Sequence, residues 1–369
     1  MKNFYDFIII GAGISACTFA SCINKRYPDA SILLIEHGRR LGGRATTRKS
    51  RKRQILEFDH GLPSISFSKY VSQDILSLIS PLINKEKLID ISNNILIMDE
   101  FGVLNNSISR NKIYKSSPYM INFCEEIVNQ SINPEKINFL FQTLTKSLYR
   151  NKDLWNVQIN NGDFVKSKNL IISSSLIAHP RCLEILGIDT LPLRDAFIIG
   201  QDQVVDSLLQ EAKKLTYIKR KIFILYVSNH NVVYNFNYKY LQVIFSEEIM
   251  EDLSFEKIIF QSQSDGSMIL ALHCTYIDKF FDMKPDNIIK SLKSLFKDYP
   301  IFIDLILEAC LIDTMDWRAS QPLNNLLSKE LQWSETSKIG FCGDWFNWKN
   351  CGGVESAMNS SIRLAQLIH

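Results

Sequence analysis

A glycine-rich turn near the start of the chain has the spacing of a phosphate-binding loop. The pattern Gly11-x-Gly13-x-x-Ala16 follows the apolar run Phe4–Ile10 and precedes a helical pattern. The first glycine permits a tight turn, and the second lets backbone N–H groups approach a pyrophosphate. A small third residue lets the helix pack against the strand. We therefore expect this turn, including Ser15, to contact a dinucleotide.

A single acid supports this interpretation. Ser31–Ile35 is a second apolar strand, and Glu36 follows it, 25 positions after Gly11. At the end of that strand a carboxylate can accept hydrogen bonds from an adenosine ribose with a free 2′-hydroxyl, which favours NAD or FAD over NADP. The order strand, glycine turn, helix, strand predicts a βαβ unit.

The loop after the second strand could hold further phosphate oxygens. Two adjacent glycines flanked by arginines suit a loop whose backbone and guanidinium groups bind phosphate bidentately, and here Arg40, Gly43 and Arg44 are the candidates. An alternative is a nucleic-acid-binding patch that extends from this loop through the basic run Lys49–Arg53. In a chain whose net charge is only +3, we interpret this run as a solvated turn.

Motifs at both ends of the chain together resemble the flavin amine oxidase superfamily. In order they are Glu36-x-x-x-Arg40-x-Gly42-Gly43-Arg44, Phe58-Asp59-His60-Gly61, Gly343-Asp344-Trp345 and Gly352-Gly353-Val354. Within that superfamily the chain looks most like the renalase-type FAD-dependent oxidoreductases, which carry a similar Gly-Gly-Arg-x-x-Thr-Arg and a Trp-Arg dipeptide. The resemblance implies that the cofactor is FAD.

The resemblance also implies roles for the C-terminal motif. Asp344 would hold a ribityl hydroxyl, and the helix starting near Val354 would point its N-terminus at the pyrimidine end of the flavin. Backbone N–H groups and the helix dipole there would stabilise the negative charge that reduction places at N1 and O2. The remaining expected cofactor contacts are Gly61, Leu144, Gly343 and Gly353.

Trp317, Arg318 and His60 are the candidates for a substrate pocket. Trp317 offers a flat face for an aromatic ring, and Arg318 offers a fork for a phosphate or carboxylate. The same residues also fit a structural interpretation without a substrate, in which Trp317 is half-buried beside a surface Arg318 and His60 is a polar residue of the core. Many amine oxidases place a lysine near flavin N5; for Lys219 and Lys221 we favour the solvated start of a strand.

The remaining elements follow from apolar periodicity and turn residues. We predict a hairpin over residues 154–173 and, in the region 191–330, short strands alternating with one clear helix. The predicted helices are 72–82, 120–130, Lys284–Lys297 and Val354–Ile368. The predicted strands of the region 191–330 are Ile222–Val227, Val232–Phe236, Leu241–Phe245 and Met268–His273, and a further predicted strand, Lys338–Cys342, lies near the C-terminus.

These elements predict an α/β fold of two domains. A discontinuous Rossmann-type FAD-binding domain would comprise residues 1–61, 135–180 and 335–369, and a mixed-sheet α+β substrate domain would comprise 62–134 and 181–334. The substrate pocket would lie at the interface between them.

Composition excludes several other classes. Of 369 residues, 46% are apolar and 22% charged, as in ordinary soluble proteins, and no apolar run approaches the roughly 18 residues of a membrane span. We expect a cytoplasmic protein with no nucleic-acid partner. Eight scattered cysteines without a Cys-x-x-Cys pair fit neither a zinc site nor a dithiol centre, so we predict no metal.

The reaction follows from these expectations. Only one phosphate-binding glycine turn is visible, so a small-molecule donor should pass a hydride directly to FAD, and O2 or another acceptor should take the electrons. The renalase resemblance implies a dihydronicotinamide isomer as donor. The alternatives are an amine oxidase, a desaturase acting on an isoprenoid or tetrapyrrole, and a flavin-stabilised binding protein without catalysis.

Overall fold

The structure is a computed structural model that describes residues 2–50, 56–107, 111–160, 162–275, 285–348 and 353–369. Its helices are α1 (Ile14–Arg26), α2 (Gln73–Asn84), α3 (Ile121–Asn129), α4 (Arg181–Leu186), α5 (Pro192–Asp195), α6 (Gln203–Ala212), α7 (His230–Phe236), α8 (Glu247–Leu253), α9 (Pro285–Leu295), α10 (Pro300–Glu308) and α11 (Gly353–Leu367). Its strands are β1 (Phe4–Ile10), β2 (Ile32–Ile35), β3 (Thr47–Lys49), β4 (Glu57–Asp59), β5 (Ile65–Phe67), β6 (Leu88–Asp90), β7 (Ile95–Met98), β8 (Leu104–Asn106), β9 (Lys112–Ser116), β10 (Ile137–Leu140), β11 (Leu148–Asn151), β12 (Leu154–Gln158), β13 (Phe164–Ile172), β14 (Thr216–Val227), β15 (Tyr240–Phe245), β16 (Phe255–Ser262), β17 (Met268–Thr275), β18 (Cys310–Asn324), β19 (Trp333–Ser334) and β20 (Ile339–Phe341).

A parallel sheet forms the first unit of the fold. Its strands β10, β2, β1 and β13 run parallel, with Ile8 opposite both Leu33 and Leu170. The end of β13 also pairs in parallel with β20, while its beginning pairs with the antiparallel hairpin strand β12. Strand β2 is Ile-Leu-Leu-Ile and wholly buried, as expected where helices cover both faces of a parallel sheet.

Helices α1, α3 and α11 bury one face of this sheet. Ala16 and Phe19 of α1 pack in the same core as Phe123 of α3 and Met358 of α11. Leu208 of α6 lies in the core on the opposite face. The predicted βαβ unit is confirmed.

A second, mixed sheet has the strand order β18-β14-β17-β16-β15-β7-β8. Its pairs are antiparallel except for β15 with β7. One face packs against an aromatic cluster in which Phe236 lies 5.0 Å from Phe260 and 5.4 Å from Phe302, ring centre to ring centre. The other face carries Ile222 and Ile259 and packs against Phe58 of β4. A Rossmann-like unit with a second mixed-sheet unit confirms the predicted fold class.

One predicted strand is wrong. Val232–Phe236 lies within helix α7, although its two valines favour a strand. Val233 and Phe236 are buried three residues apart, which is helical spacing, so packing against the aromatic cluster outweighs the local preference. The expectation of one clear helix in 191–330 is also wrong, because helices α5, α6, α7, α8 and α10 occur there besides α9.

The other predicted elements agree with the structure within about two residues at each end, apart from strand β14, which begins six residues before the predicted Ile222. Lys284, the first residue of a predicted helix, lies outside the described residues. Segment 62–134 contributes to both units, because α2 and α3 join the core of α1 while β7 and β8 extend the second sheet. The proposed domain limits therefore stay a prediction.

Within the described ranges, no helix combines the length and the apolar character that crossing a bilayer requires.

Asp59 joins several of these elements through its buried carboxylate. Its Oδ1 accepts hydrogen bonds from Thr47 Oγ1 (2.6 Å) and from the backbone N–H of Met120 (3.0 Å), and Lys115 Nζ lies 3.2 Å from its Oδ2. The backbone N–H of Asp59 also donates to Gln261 of β16 at 3.1 Å. The carboxylate ties β3, β9 and the start of α3 to β4, and β4 contacts the second sheet.

We predict that Asp59→Ala lowers the free energy of unfolding by about 3–5 kcal/mol, because it leaves Lys115 as an uncompensated, largely buried charge. Chemical denaturation measures the change. Asp90→Ala is the matched control. Asp90 pairs with Lys112, which lies on β9 like Lys115, but the side chains of Asp90 and Lys112 are both exposed. The control should cost about 1 kcal/mol or less; equal losses in the two variants would contradict the prediction.

Candidate cofactor and substrate cavity

A cavity of about 400 Å³ lies between the two sheets. One end is lined by residues 11–15, 42–45 and 173–175, which follow the ends of β2, β1 and β13 or begin α1. The other end is lined by residues of strands β14, β16, β17 and β18. Ligands of open parallel α/β sheets bind at the carboxyl ends of the strands, so the cavity lies where the fold favours binding.

Two glycine loops form the first end of the cavity. Gly11 has φ +106°, and a Cβ there would lie 2.5 Å from Ser173 Oγ. Gly13 and Gly43 meet backbone to backbone, since a Cβ on Gly43 would lie 3.2 Å from the Gly13 Cα. The absence of side chains here leaves room for a diphosphate beside backbone N–H groups, so the loops fit the predicted dinucleotide.

Glu36 lies on the same wall with a fixed carboxylate. Its Oε2 accepts the backbone N–H of Ala12 at 2.9 Å, and its Oε1 accepts that of Gly38 at 2.7 Å. Each carboxylate oxygen has a second lone pair, so both can still accept a ribose hydroxyl. Ser15 also lines the cavity, whereas Ala16 is fully buried in α1, consistent with a small residue that lets helix and strand pack closely.

Arg44 and Asp344 form a bidentate ion pair on the cavity wall. Arg44 Nη1 lies 2.7 Å from Asp344 Oδ2, and Nη2 lies 2.7 Å from Oδ1. Arg44 Nη1 also donates to the carbonyl of Ser320 in β18 at 2.7 Å. Asp344, which we expected to hold the ribityl chain, and Arg44, which we expected to bind phosphate, therefore lie side by side. Arg44 connects both residues to the second sheet.

The start of α11 reaches the cavity at Gly353 and Val354. A helix of 15 residues carries a partial positive charge at this end. Gly352, the first glycine of the predicted Gly352-Gly353-Val354 motif, lies outside the described residues. Gly61 and Gly343 also line the cavity.

Of the three predicted pocket residues, the structure brings Trp317 to the cavity wall. Its indole stacks on the His60 ring, with centres 5.7 Å apart. His60 is only 2% exposed and lies outside the cavity lining, so it supports Trp317 from behind. Burial, with a smaller contribution from the charge of Arg48, lowers the pKa of His60 to about 3, so the imidazole is neutral near pH 7.

The expectation for Arg318 is corrected by the structure. Arg318 is exposed and pairs with Glu184 at 3.2 Å, outside the cavity lining. The reason is that β18 is a strand, so successive side chains point to opposite faces and Arg318 turns away from the cavity that Trp317 lines.

Two expected cofactor contacts also lie elsewhere. Arg40 pairs with Glu57 of β4 at 3.3 Å and does not line the cavity. Leu144 packs against the core below the parallel sheet, and its backbone N–H donates to Asn160 Oδ1 at 3.2 Å. Leu144 follows Thr143, whose backbone N–H donates to the Glu36 carbonyl at 2.9 Å, so it lies beside the end of β2, and its contact with the cofactor stays a prediction.

Sequence reasoning missed Lys257 and His273, which face each other across β16 and β17 and line the cavity. Burial lowers the pKa of Lys257, opposed by Glu256, whose Oε1 lies 3.9 Å from the Lys257 Nζ. Burial and the nearby charge of Lys257 also hold the pKa of His273 well below its usual value. One available signal was the adjacent charged pair Glu256 and Lys257 inside the otherwise apolar strand 255–260; Lys219 and Lys221 of β14 are not part of the lining.

Residues 9–77 match the family of NAD(P)-binding Rossmann-like domains. No curated protein matches the chain significantly. Among solved structures, a candidate protoporphyrinogen oxidase from Exiguobacterium sp. 255-15 superposes with a TM-score of 0.61 at 11% identity, covering 98% of this chain and 97% of that chain.

A putrescine oxidase with bound putrescine gives a TM-score of 0.62 at 12% identity, covering 98% of both chains. A triple mutant of putrescine oxidase, made to redesign cofactor binding, gives the same TM-score, identity and coverage. This chain therefore has the fold of these oxidases over nearly its whole length.

The buried His60 predicts a specific acid sensitivity. Its pKa is about 3 when folded and about 6.5 when unfolded, so the unfolded chain binds the proton more readily, and stability is lost as the pH falls from 6.5 toward 3. The slope approaches about 1.4 kcal/mol per pH unit below pH 6, so the His60 contribution lost between pH 6.5 and 4.5 is about 2 kcal/mol.

We expect His60→Phe to lose less stability than the wild type over this interval, measured by denaturation at each pH. His37→Gln is the control, because it removes a histidine that is exposed rather than buried. Parallel curves for wild type and His60→Phe would show that His60 does not titrate in this way.

Proposed function

We propose that this protein is an FAD-dependent oxidoreductase that takes a hydride from a small-molecule donor and passes the electrons to O2 or another acceptor. The observation that carries the proposal is the continuity of the cavity. It joins the Gly11–Gly13 turn and Glu36 to a chamber walled by Trp317 and Lys257. A dinucleotide bound at the first end would place its ring end beside the second.

The residues at the first end suit FAD in type and position. Glu36 would hold the adenosine ribose, and the backbone of the two glycine loops would hold the diphosphate. FAD, when bound, supplies a hydride acceptor at flavin N5. Val354 and the start of α11 would direct a helix dipole at the developing negative charge, and the Arg44–Asp344 pair would orient the ribityl chain.

The second end would position the donor. Trp317 is a flat wall suited to a ring such as a dihydronicotinamide isomer, the renalase-like donor that we propose first. The His60 ring is stacked against its indole and supports it from behind. Holding the donor carbon at a fixed angle and distance is the main contribution a protein can make to direct hydride transfer.

Lys257 favours an amine as the second candidate donor. Its lowered pKa shifts the side chain toward the neutral amine, which can accept a proton from a protonated amine donor. A neutral donor nitrogen releases a hydride from its neighbouring carbon more readily than a cationic one. Putrescine, bound in one of the structures with this fold, is such an amine.

The absorbance spectrum of the purified protein, followed anaerobically with a panel of donors, tests the proposal. We expect an oxidised-flavin spectrum that dihydronicotinamide isomers bleach rapidly. Bleaching by amines alone would select the second candidate. A yellow protein that no donor reduces would indicate a binding protein without catalysis, and a colourless protein that takes up no added FAD would overturn the proposal.

Glu36 provides a test of the cofactor position. We predict that Glu36→Gln weakens FAD binding at least about tenfold, because hydrogen bonds to a charged acceptor contribute more than neutral ones. Fluorescence titration of the flavin-free protein measures the dissociation constant. Glu57→Gln is the control, since Glu57 pairs with Arg40 outside the cavity and should leave FAD binding unchanged.

A further inference from the structure

Among the residues that the structure describes, Arg181 is the cation of the cavity wall that lacks an acidic partner. Arg44 pairs with Asp344, Arg220 Nε lies 2.5 Å from Glu256 Oε2, and Lys257 lies 3.9 Å from the same glutamate. Across the described ranges, no carboxylate forms an ion pair with Arg181. Its positive charge therefore stands uncompensated inside a partly enclosed site.

The Arg181 guanidinium is nevertheless held firmly in place. Its Cζ lies 4.0 Å from the centre of the Tyr217 ring, a cation–π contact, and its Nη2 donates to Ser175 Oγ at 2.9 Å. Ser175 Oγ and Tyr217 Oη are themselves 2.7 Å apart. All three residues line the cavity, so the ring and the hydroxyl fix one face and one edge of the guanidinium.

The other edge of the guanidinium is unused. Arg181 Nη1 is buried from solvent and has no hydrogen-bond partner within the described part of the chain. Leaving a buried donor unpaired is unfavourable, and more so when the group is charged, so such a group usually has a partner. An arginine fork on an aromatic face, with one nitrogen free, is well suited to an oxygen anion.

We infer that Arg181 binds an anionic oxygen, from a carboxylate or a phosphate, of a molecule held in this cavity. The inference rests on the proposed function only for the identity of that molecule. The donor could supply the anion, which would make the substrate an acid or a phosphate ester. FAD could supply it instead through its diphosphate.

The experiment uses the FAD-loaded protein and titrates it with benzoate, inorganic phosphate and the neutral isostere benzamide, following the flavin absorbance. We expect Arg181→Met to weaken benzoate or phosphate binding at least about tenfold, as expected for loss of a charge-assisted hydrogen bond, and to leave benzamide unchanged. Arg181→Lys should retain part of the affinity. Arg318→Met removes an exposed arginine outside the cavity and should change nothing.

A parallel titration of each flavin-free variant with FAD identifies the source of the anion. Weaker FAD binding in Arg181→Met, with benzoate and phosphate unaffected, would assign the contact to the cofactor diphosphate. Weaker binding of the added anions would assign it to the donor. If Arg181→Met changes the affinities for FAD and for both anions by less than twofold, the inference is overturned. It is also overturned if the wild-type protein binds neither anion and Arg181→Met has the same FAD affinity as the wild type.

Two further measurements keep the outcome interpretable. Tyr217→Phe keeps the ring but removes the hydroxyl that holds Ser175, so it should weaken anion binding about threefold without altering the charge. If the protein binds no FAD at all, the proposed function fails. Calorimetric titration of wild type and Arg181→Met with phosphate and benzoate then still tests the anion site, and equal heats in the two proteins would reject it.

Discussion

The site depends on three parallel strands that end side by side. Strand β13 pairs with β1 on one side and, through its last three residues, with β20 on the other. The backbone N–H of Ser173 donates to the Ile10 carbonyl at 3.1 Å, and that of Cys342 donates to the Ile172 carbonyl at 3.1 Å. These ladders bring together loops that lie more than 150 residues apart in the chain, so Gly11, Ser173 and Gly343 share one edge of the sheet.

The second sheet supplies the other end of the cavity. Trp317, Lys257 and His273 come from β18, β16 and β17, and each faces the cavity because side chains alternate along a strand. This sheet is joined to the first unit by polar contacts as well as by packing. Arg44 donates to Ser320, and the Asp59 backbone contacts Gln261, so a shift of one unit would strain both links.

The sequence was informative where function depends on local spacing. The Gly11–Ala16 turn and Glu36 belong to one βαβ unit, so their positions followed from a strand, a turn and a helix read in order. Lys257 and His273 could not be found in this way, because they meet only through long-range pairing of β16 with β17. Arg318 was misplaced for a related reason: the dipeptide pattern does not show which side of β18 faces the cavity.

The charges on the cavity wall are unevenly compensated. Asp344 neutralises Arg44, and Glu256 neutralises Arg220, so these pairs set the geometry of the walls without a net charge. Among the described residues two lining groups lack an oppositely charged partner: Glu36, whose oxygens accept backbone N–H groups, and Arg181, beside Tyr217. A bound molecule should therefore place hydroxyl groups at Glu36 and an anionic oxygen at Arg181, because either group in the other position would meet a repulsive or unsatisfied partner.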